Sequence, residues 1–322
     1  MQTFTYEKPL TLEKAAGNRG RFIAGGTTLV DLMKLGVEVP PAVVDVTGLP
    51  LAQVEVLPNG GLRIGAMVRN SDLANHPKVQ ESYAVLSQAL LSGASPQLRN
   101  MATTGGNLLQ RTRCPYFRDP SAGACNKRNP GTGCAAIEGH HRMMAVLGTS
   151  DSCIATHPSD MCVAMTALEA VIVIEGAKGK RSVPIGEFYK LPGTTPNVEN
   201  VLEPGDLITH VELPTPVAGA KQVYLKLRDR ASYEFALASA AVIAHVEGGH
   251  VRSVRVAMGG VGTRPWRSHE AEAALMGKAA TPANFRIAAE AALKNAKPHP
   301  ENAFKVELAK RCVTRALKMT TA

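Results

Sequence analysis

The sequence predicts an α+β protein of two domains, and three observations carry that prediction. Up to residue 213, short apolar strands alternate with short helices and glycine turns. At Pro214-Thr215-Pro216-Val217-Ala218-Gly219-Ala220 the composition breaks into a linker. Beyond it, three strands are followed by three helices, the order of a small antiparallel sheet packed on a helical bundle. A length of 322 residues supplies a core for both. The expected bounds are 1–215 for the first domain, with a small lobe over 1–53 and a large lobe over 54–215, and 221–322 for the second.

The small lobe reads as a strand at 3–6, a helix from Thr11 to Ala16 with Thr11 as N-cap, a strand at Arg21–Ala24, a helix at Leu29–Leu35 and a strand at Pro41–Val46. Between its second strand and second helix stands Gly25-Gly26-Thr27-Thr28. Adjacent glycines let the backbone approach a ligand, and successive N–H groups ahead of a helix make a phosphate cradle. By itself the motif fits an ordinary tight turn better than a ligand cradle, and it is neither G-x-G-x-x-G nor a P-loop.

In the large lobe, Pro58-Asn59-Gly60-Gly61 turns a hairpin within 54–68. Asn70-Ser71-Asp72 opens a short helix, and 77–92 reads as a longer one with Val79, Tyr83, Leu86 and Leu90 facing inward. A second turn rich in small and hydroxyl residues runs from Arg99 to Leu108 through Thr103-Thr104-Gly105-Gly106-Asn107. Two such turns bracketing one α/β region point to a large phosphate-bearing cofactor. Ser159 and Asp160 cap an apolar helix to Leu168, with strands at 170–175 and 205–213. In the second domain, strands are expected at 222–227, 236–246 and 251–258, and helices at 268–276, 282–295 and 302–319.

Residues 109–154 show little periodicity but hold four of the six cysteines: Cys114, Cys125, Cys134 and Cys153. So long an irregular loop needs something to order it. The spacing C-x10-C-x8-C-x18-C lacks the paired knuckles of a zinc ribbon and is wider than a ferredoxin run. A core-rich chain without an export signal argues against a disulfide framework. Iron–sulfur ligation, zinc and unligated thiols remain three readings, and Cys162 and Cys312 sit in apolar helices as core residues.

The net charge of +9 raises nucleic acid as a partner, but the excess is dispersed, and seven Phe and one Trp offer little for base stacking. Locally it gathers at Arg111, Arg113, Arg118, Lys127, Arg128 and Arg142, where it would offset thiolate charge. No run is long and apolar enough to span a membrane, and the N-terminus does not read as a signal peptide.

Taken together, four stretches resemble the FAD-binding subunit of the molybdenum hydroxylases, the xanthine dehydrogenase and aldehyde oxidoreductase family. They are Phe22-Ile23-Ala24-Gly25-Gly26-Thr27, Arg99-Asn100 through Thr103-Thr104-Gly105-Gly106-Asn107-Leu108, Pro158-Ser159-Asp160-Met161, and Gly259-Gly260 through Pro265-Trp266-Arg267. The resemblance covers nearly the whole chain. It implies a two-lobed FAD-binding domain of the vanillyl-alcohol-oxidase-like (PCMH) type, followed by a C-terminal domain of the CO dehydrogenase flavoprotein type.

The resemblance also implies site residues. The stretch Arg21, Phe22, Ile23, Ala24, Gly25, Gly26, Thr27, Thr28 and Leu29 would hold the FAD pyrophosphate through backbone amides. Thr103, Thr104, Gly105, Gly106 and Asn107 would lie along the cofactor, with Ser159 and Asp160 near its adenosine or ribityl part. His157, otherwise an ordinary turn residue before Pro158, would border the flavin. Lys226, Arg228 and Arg230 match a basic strand that approaches the ring, whereas Glu234 stands where the family often has Asp.

The insertion with its cysteines resembles the bacterial periplasmic aldehyde oxidoreductases, and less closely the 4-hydroxybenzoyl-CoA reductases. On that resemblance Cys114, Cys125, Cys134 and Cys153 would ligate a [4Fe-4S] cluster. The implied protein is an electron-transfer subunit without catalytic acid, base or nucleophile. Its implied partners are a molybdenum-cofactor large subunit, a [2Fe-2S] small subunit and an external electron acceptor, with no nucleic acid and no membrane. Export to the periplasm would depend on a signal-bearing partner; the alternative is the cytoplasm. The rivals are another molybdenum hydroxylase (xanthine dehydrogenase or 4-hydroxybenzoyl-CoA reductase type), a free-standing flavin oxidase and a zinc-stabilised nucleic-acid-binding protein.

Overall fold

A computed structural model describes residues 1–321. In the small lobe, β1 (Thr5–Glu7), α1 (Leu12–Ala15), β2 (Arg21–Ile23), α2 (Leu29–Lys34) and β3 (Ala42–Asp45) form a parallel sheet of order β1-β3-β2 with its helices as crossovers. The Thr11 hydroxyl accepts from the Lys14 amide and starts α1, as its position ahead of an apolar run predicts. Between β2 and α2 the chain makes the glycine turn.

The large lobe opens with the hairpin β4 (Val54–Val56) and β5 (Leu62–Gly65), followed by α3 (Asn70–Asn75), α4 (Pro77–Ser82) and α5 (Ala84–Ser92). The expected long helix over 77–92 is thus two helices. They break at Tyr83, where φ is −134° and ψ 44°, and the buried ring sends its hydroxyl to the Pro214 carbonyl at 2.8 Å. The stretch expected as a second turn is helical at both ends, α6 (Pro96–Arg99) and α7 (Thr104–Leu108).

Short helices α8 (Pro115–Arg118) and α9 (Ala135–Glu138) interrupt the cysteine segment, and an isolated antiparallel bridge joins Cys125 to Cys134. Then come α10 (Asp160–Ala167), β6 (Val171–Gly176), β7 (Gly179–Pro184), α11 (Ile185–Phe188) and β8 (Leu207–Leu213). The sheet has the order β4-β5-β8-β6-β7, antiparallel throughout. Its edge strand β7 and the helix α11 were not expected from the sequence.

In the C-terminal domain, β9 (Lys221–Leu227), β10 (Ala238–Glu247) and β11 (His250–Gly259) make the expected antiparallel sheet. A fourth short strand, β12 (Trp266–Arg267), pairs with β11 at its edge. The helices α12 (His269–Leu275), α13 (Pro282–Ala292) and α14 (Phe304–Thr321) follow, with Thr281 capping α13 through Asn284.

The linker does not separate two independent cores. One apolar cluster runs from Leu62, Leu86 and Met161 of the large lobe into Tyr224, Ala241 and Ala257 beyond the linker. The end of the cysteine segment also joins the C-terminal domain, where Val146 and Leu147 enter its core and their amides donate to the Val261 carbonyl at 2.8 and 3.0 Å. No helix among the described residues is long and apolar enough to cross a membrane.

Candidate functional site

The glycine turn after β2 leaves its amides available. The N–H groups of Gly25, Gly26, Thr27 and Thr28 donate to no protein group among the described residues, while the Gly26 carbonyl accepts from Val30 as α2 begins. Gly26 has φ +71°, a conformation that costs other residues strain. Gly25 is needed for a different reason, since a Cβ there would collide with the Met101 carbonyl oxygen. The turn therefore rests directly on the chain entering the second loop. Residues 22–29 are all half-buried and Arg21 is exposed, its guanidinium reaching Glu38 at 3.4 Å. The arrangement is an open cradle of consecutive N–H groups, the donor set that suits a pyrophosphate.

The second loop differs. The amides of Thr104 and Gly105 donate to Val68 and Ala66 carbonyls at 2.9 and 2.8 Å, Gly106 to the Thr103 hydroxyl at 3.2 Å, and Asn107 to the Thr103 carbonyl at 2.8 Å. Its polar side chains are engaged too: Asn107 Oδ1 accepts from Ser159 Oγ at 2.7 Å, and Ser159 Oγ in turn accepts from Cys162 N at 3.1 Å and caps α10. Thr103 to Asn107 thus build the frame beside the first turn, and the amides of Thr104 to Asn107 are all engaged in it.

Asp160, Lys226 and Arg228 meet at the junction between domains. Asp160 accepts from the Tyr224 hydroxyl at 2.5 Å and from Lys226 Nζ at 2.8 Å, both on one face of β9. Lys226 and Arg228 also donate to the Ser92 carbonyl at the end of α5. Burial pushes the Tyr224 hydroxyl well above its ordinary pKa, and the Asp160 carboxylate adds to the rise. Since both partners are nearly fully buried, the Asp160–Lys226 pair fixes how the domains meet, and loss of either side would strand a charge.

A cavity of about 230 Å³ opens beside this pair, walled by Arg113, Cys114, Met143, Met144, His157, Asp160, Glu234, Phe235, Ser239 and the bare backbone of Gly259-Gly260, among others. His157 reaches it from a turn held by its own N–H to the Gly262 carbonyl at 3.0 Å, its ring edge-on to Tyr189 at 4.7 Å. Burial lowers the imidazole to about 4, so it is neutral at pH 7. Neither the first turn nor residues 103–107 line this cavity.

The four loop cysteines come together. Cys114, Cys125, Cys134 and Cys153 line one small cavity with Tyr116, Phe117, Ala124, Ala136, Ala155 and Lys127. All six cysteines are free thiols, and burial pushes Cys114 up to about 12 and raises Cys153, which Lys127 pulls back. No group of three or more His, Cys, Asp or Glu side chains among the described residues is placed round a single metal ion. Cys114 also lines the 230 Å³ cavity. Of the basic residues expected to offset thiolate charge, Lys127 alone lines the cysteine cavity. The others brace the loop: Arg111 binds Glu38 and Glu199, Arg113 and Arg118 share Asp31, Arg128 donates to carbonyls from Tyr116 to Gly123, and Arg142 pairs with Asp229.

Residues 2–216 match the family model of the FAD binding domain in molybdopterin dehydrogenase, and residues 223–320 that of the CO dehydrogenase flavoprotein C-terminal domain. The chain belongs to the FAD-binding subunits of the molybdenum hydroxylases. It is an oxidoreductase subunit. This FAD subunit is 53% identical to the aldehyde oxidoreductase FAD-binding subunit PaoB of Escherichia coli (strain K12), covering 98% of each chain. It is 28% identical to the glyceraldehyde dehydrogenase medium chain of Sulfolobus acidocaldarius, covering 85% of the subunit and 82% of the relative. Among solved structures, carbon monoxide dehydrogenase from Hydrogenophaga pseudoflava superposes with a TM-score of 0.77 at 27% identity, covering 99% of the subunit and 97% of that chain.

The FAD subunit has site residues whose place at the cavities its sequence did not show. Arg113 and Ser239 both face the 230 Å³ cavity, and Glu199 anchors Arg111 and Lys127 at 3.1 and 2.6 Å. The sequence offered Arg113 only as one of the basic residues that would offset thiolate charge. Ser239, inside an apolar strand, carried no signal.

Proposed function

We propose that this chain is the flavin and iron–sulfur subunit of a heterotrimeric molybdenum-dependent aldehyde oxidoreductase. The observation that carries the reading is the convergence of Cys114, Cys125, Cys134 and Cys153 on one cavity, which shares Cys114 with the larger cavity at the domain junction. A [4Fe-4S] cube gives each iron one thiolate, so its ligands surround a cluster instead of a single ion. The donor set of four thiols, in a wall that also carries Lys127, suits that group. The 53% identity to an aldehyde oxidoreductase subunit supports the substrate class.

Each feature of the chain has a part in this reading. The Gly25–Thr28 amides hold the pyrophosphate, α7 and Ser159 support the loop beneath it, and the Asp160–Lys226 pair keeps both domains closed on the ring. Bound FAD supplies the exchange between one-electron and two-electron carriers, while the protein orients it and controls access. Electrons arrive from a [2Fe-2S] small subunit, which receives them from a molybdenum-cofactor large subunit where the aldehyde is oxidised, and leave to an external acceptor. The assembled complex is exported to the periplasm on a partner's signal.

The test is the visible spectrum of the anaerobically purified chain, with iron and sulfide analysis. Flavin bands with a broad shoulder and about four irons per chain are expected, and replacing Cys125 with Ala removes the iron while the flavin stays. A flavin spectrum without iron, or zinc in its place, refutes the cluster.

A further inference from the structure

Five buried side-chain nitrogen or oxygen atoms among the described residues lack a hydrogen-bond partner: Asn70 Oδ1, His76 Nδ1, Arg113 Nε, His157 Nε2 and Ser239 Oγ. Three of the five residues, Arg113, His157 and Ser239, line the 230 Å³ cavity. An unpaired buried polar atom is costly and rare. Three of them from the cysteine segment, the turn before α10 and strand β10 mark a place where a ligand completes the set.

Their chemistry is one-sided. Arg113 Nε carries a proton and can only donate. His157 Nδ1 accepts from the Ser159 amide at 3.4 Å, which leaves the proton of the neutral ring on Nε2. Ser239 Oγ lies near enough to the Tyr224 hydroxyl to affect its acidity but makes no hydrogen bond of sound geometry, so its proton is free to turn. Most acceptors in the wall are already engaged. Asp160 takes Tyr224 and Lys226, Glu234 Oε1 takes the Phe235 amide at 2.9 Å, and Thr112 Oγ1 takes the Cys114 amide at 3.2 Å. Arg113 also shares its single carboxylate, Asp31, with Arg118, so its charge is only partly met there.

We propose that this cavity receives the pyrimidine edge of the flavin ring, with Arg113, His157 and Ser239 donating to its nitrogen and carbonyl acceptors. The proposal rests on the FAD reading above and adds the placement of the ring. That edge gathers negative charge when the ring is reduced, and a guanidinium with two neutral donors binds it more tightly in that state. The three residues therefore raise the flavin potential. Adenine matches these donors less well, because it stays neutral and gathers no negative charge for Arg113 to meet.

The experiment strips the full-length chain of flavin, reloads it with FAD, and measures the dissociation constant, absorption bands and midpoint potential. Ser239→Ala, which removes one oxygen, is expected to weaken FAD about fivefold, and His157→Ala and Arg113→Gln about tenfold or more. Each makes the midpoint more negative and shifts the bands, and His157→Gln, which keeps a donor, restores part of the loss. If affinity falls while potential and bands hold in all three variants, the donors meet another part of the cofactor and the ring placement is wrong. Wild-type affinity and potential in all of them also overturn it. A wild-type chain that binds no FAD fails the subunit reading itself, a separate result seen before any variant is made.

Discussion

Gly25-Gly26-Thr27-Thr28 and Thr103-Thr104-Gly105-Gly106 are the same four residues in opposite order, lie side by side in the fold, and do opposite work. In the first, four successive N–H groups find no partner in the protein. In the second, the amides of Thr104, Gly105 and Gly106 and the Thr103 hydroxyl are spent on the turn after β5 and the cap of α7. Composition makes both loops candidates for a ligand. The destination of each N–H separates a cradle from the frame that supports it.

The sharpest way to break the comparison is at the contact between the loops. Gly25→Ala puts a Cβ into the Met101 carbonyl, a backbone group that no side-chain rotation can clear. Urea unfolding should show a loss of more than about 3 kcal/mol, or no folded protein at all. A result within about 1 kcal/mol of wild type would mean that the loops do not meet as described.

A smaller effect separates the two roles. In Gly105→Ala the new Cβ lies 3.0 Å from Ala66 Cβ and 3.3 Å from its carbonyl oxygen, so stability should fall by about 1–2 kcal/mol with FAD affinity unchanged in the folded protein. Gly26→Ala strains a residue at φ +71° and brings its Cβ 3.1 Å from Val30. It should cost about 1 kcal/mol of stability and also weaken FAD several-fold, by tilting the cradle. Equal effects on FAD binding from both variants, measured by titration, would erase the distinction.

Much of the fold was legible because periodicity and punctuation agree. Thr11 and Ser159 each cap the helix they precede, and Pro214–Ala220 falls between β8 and β9. What escaped depends on partners distant in sequence. Tyr83 fits a continuous apolar helical face, yet its hydroxyl is drawn to Pro214 and the helix breaks there. β7 is polar and mostly exposed along Lys180, Arg181 and Ser182, so nothing but pairing with β6 makes it a strand. At the site, the glycine turn and the cysteines could be named from local sequence. The donor role of Arg113 and Ser239 could not, since their signal is an unmet hydrogen bond, visible only when three remote segments enclose one cavity.

The most direct measurement is amide hydrogen exchange across both loops, with the chain first stripped of FAD and then reloaded. Without FAD, residues 25–28 should exchange quickly and residues 104–107 slowly, because the former have no acceptors and the latter are bonded. Adding FAD should slow 25–28 and leave 104–107 as they were. If 25–28 stay fast while 104–107 gain protection, the two loops have been assigned the wrong way round.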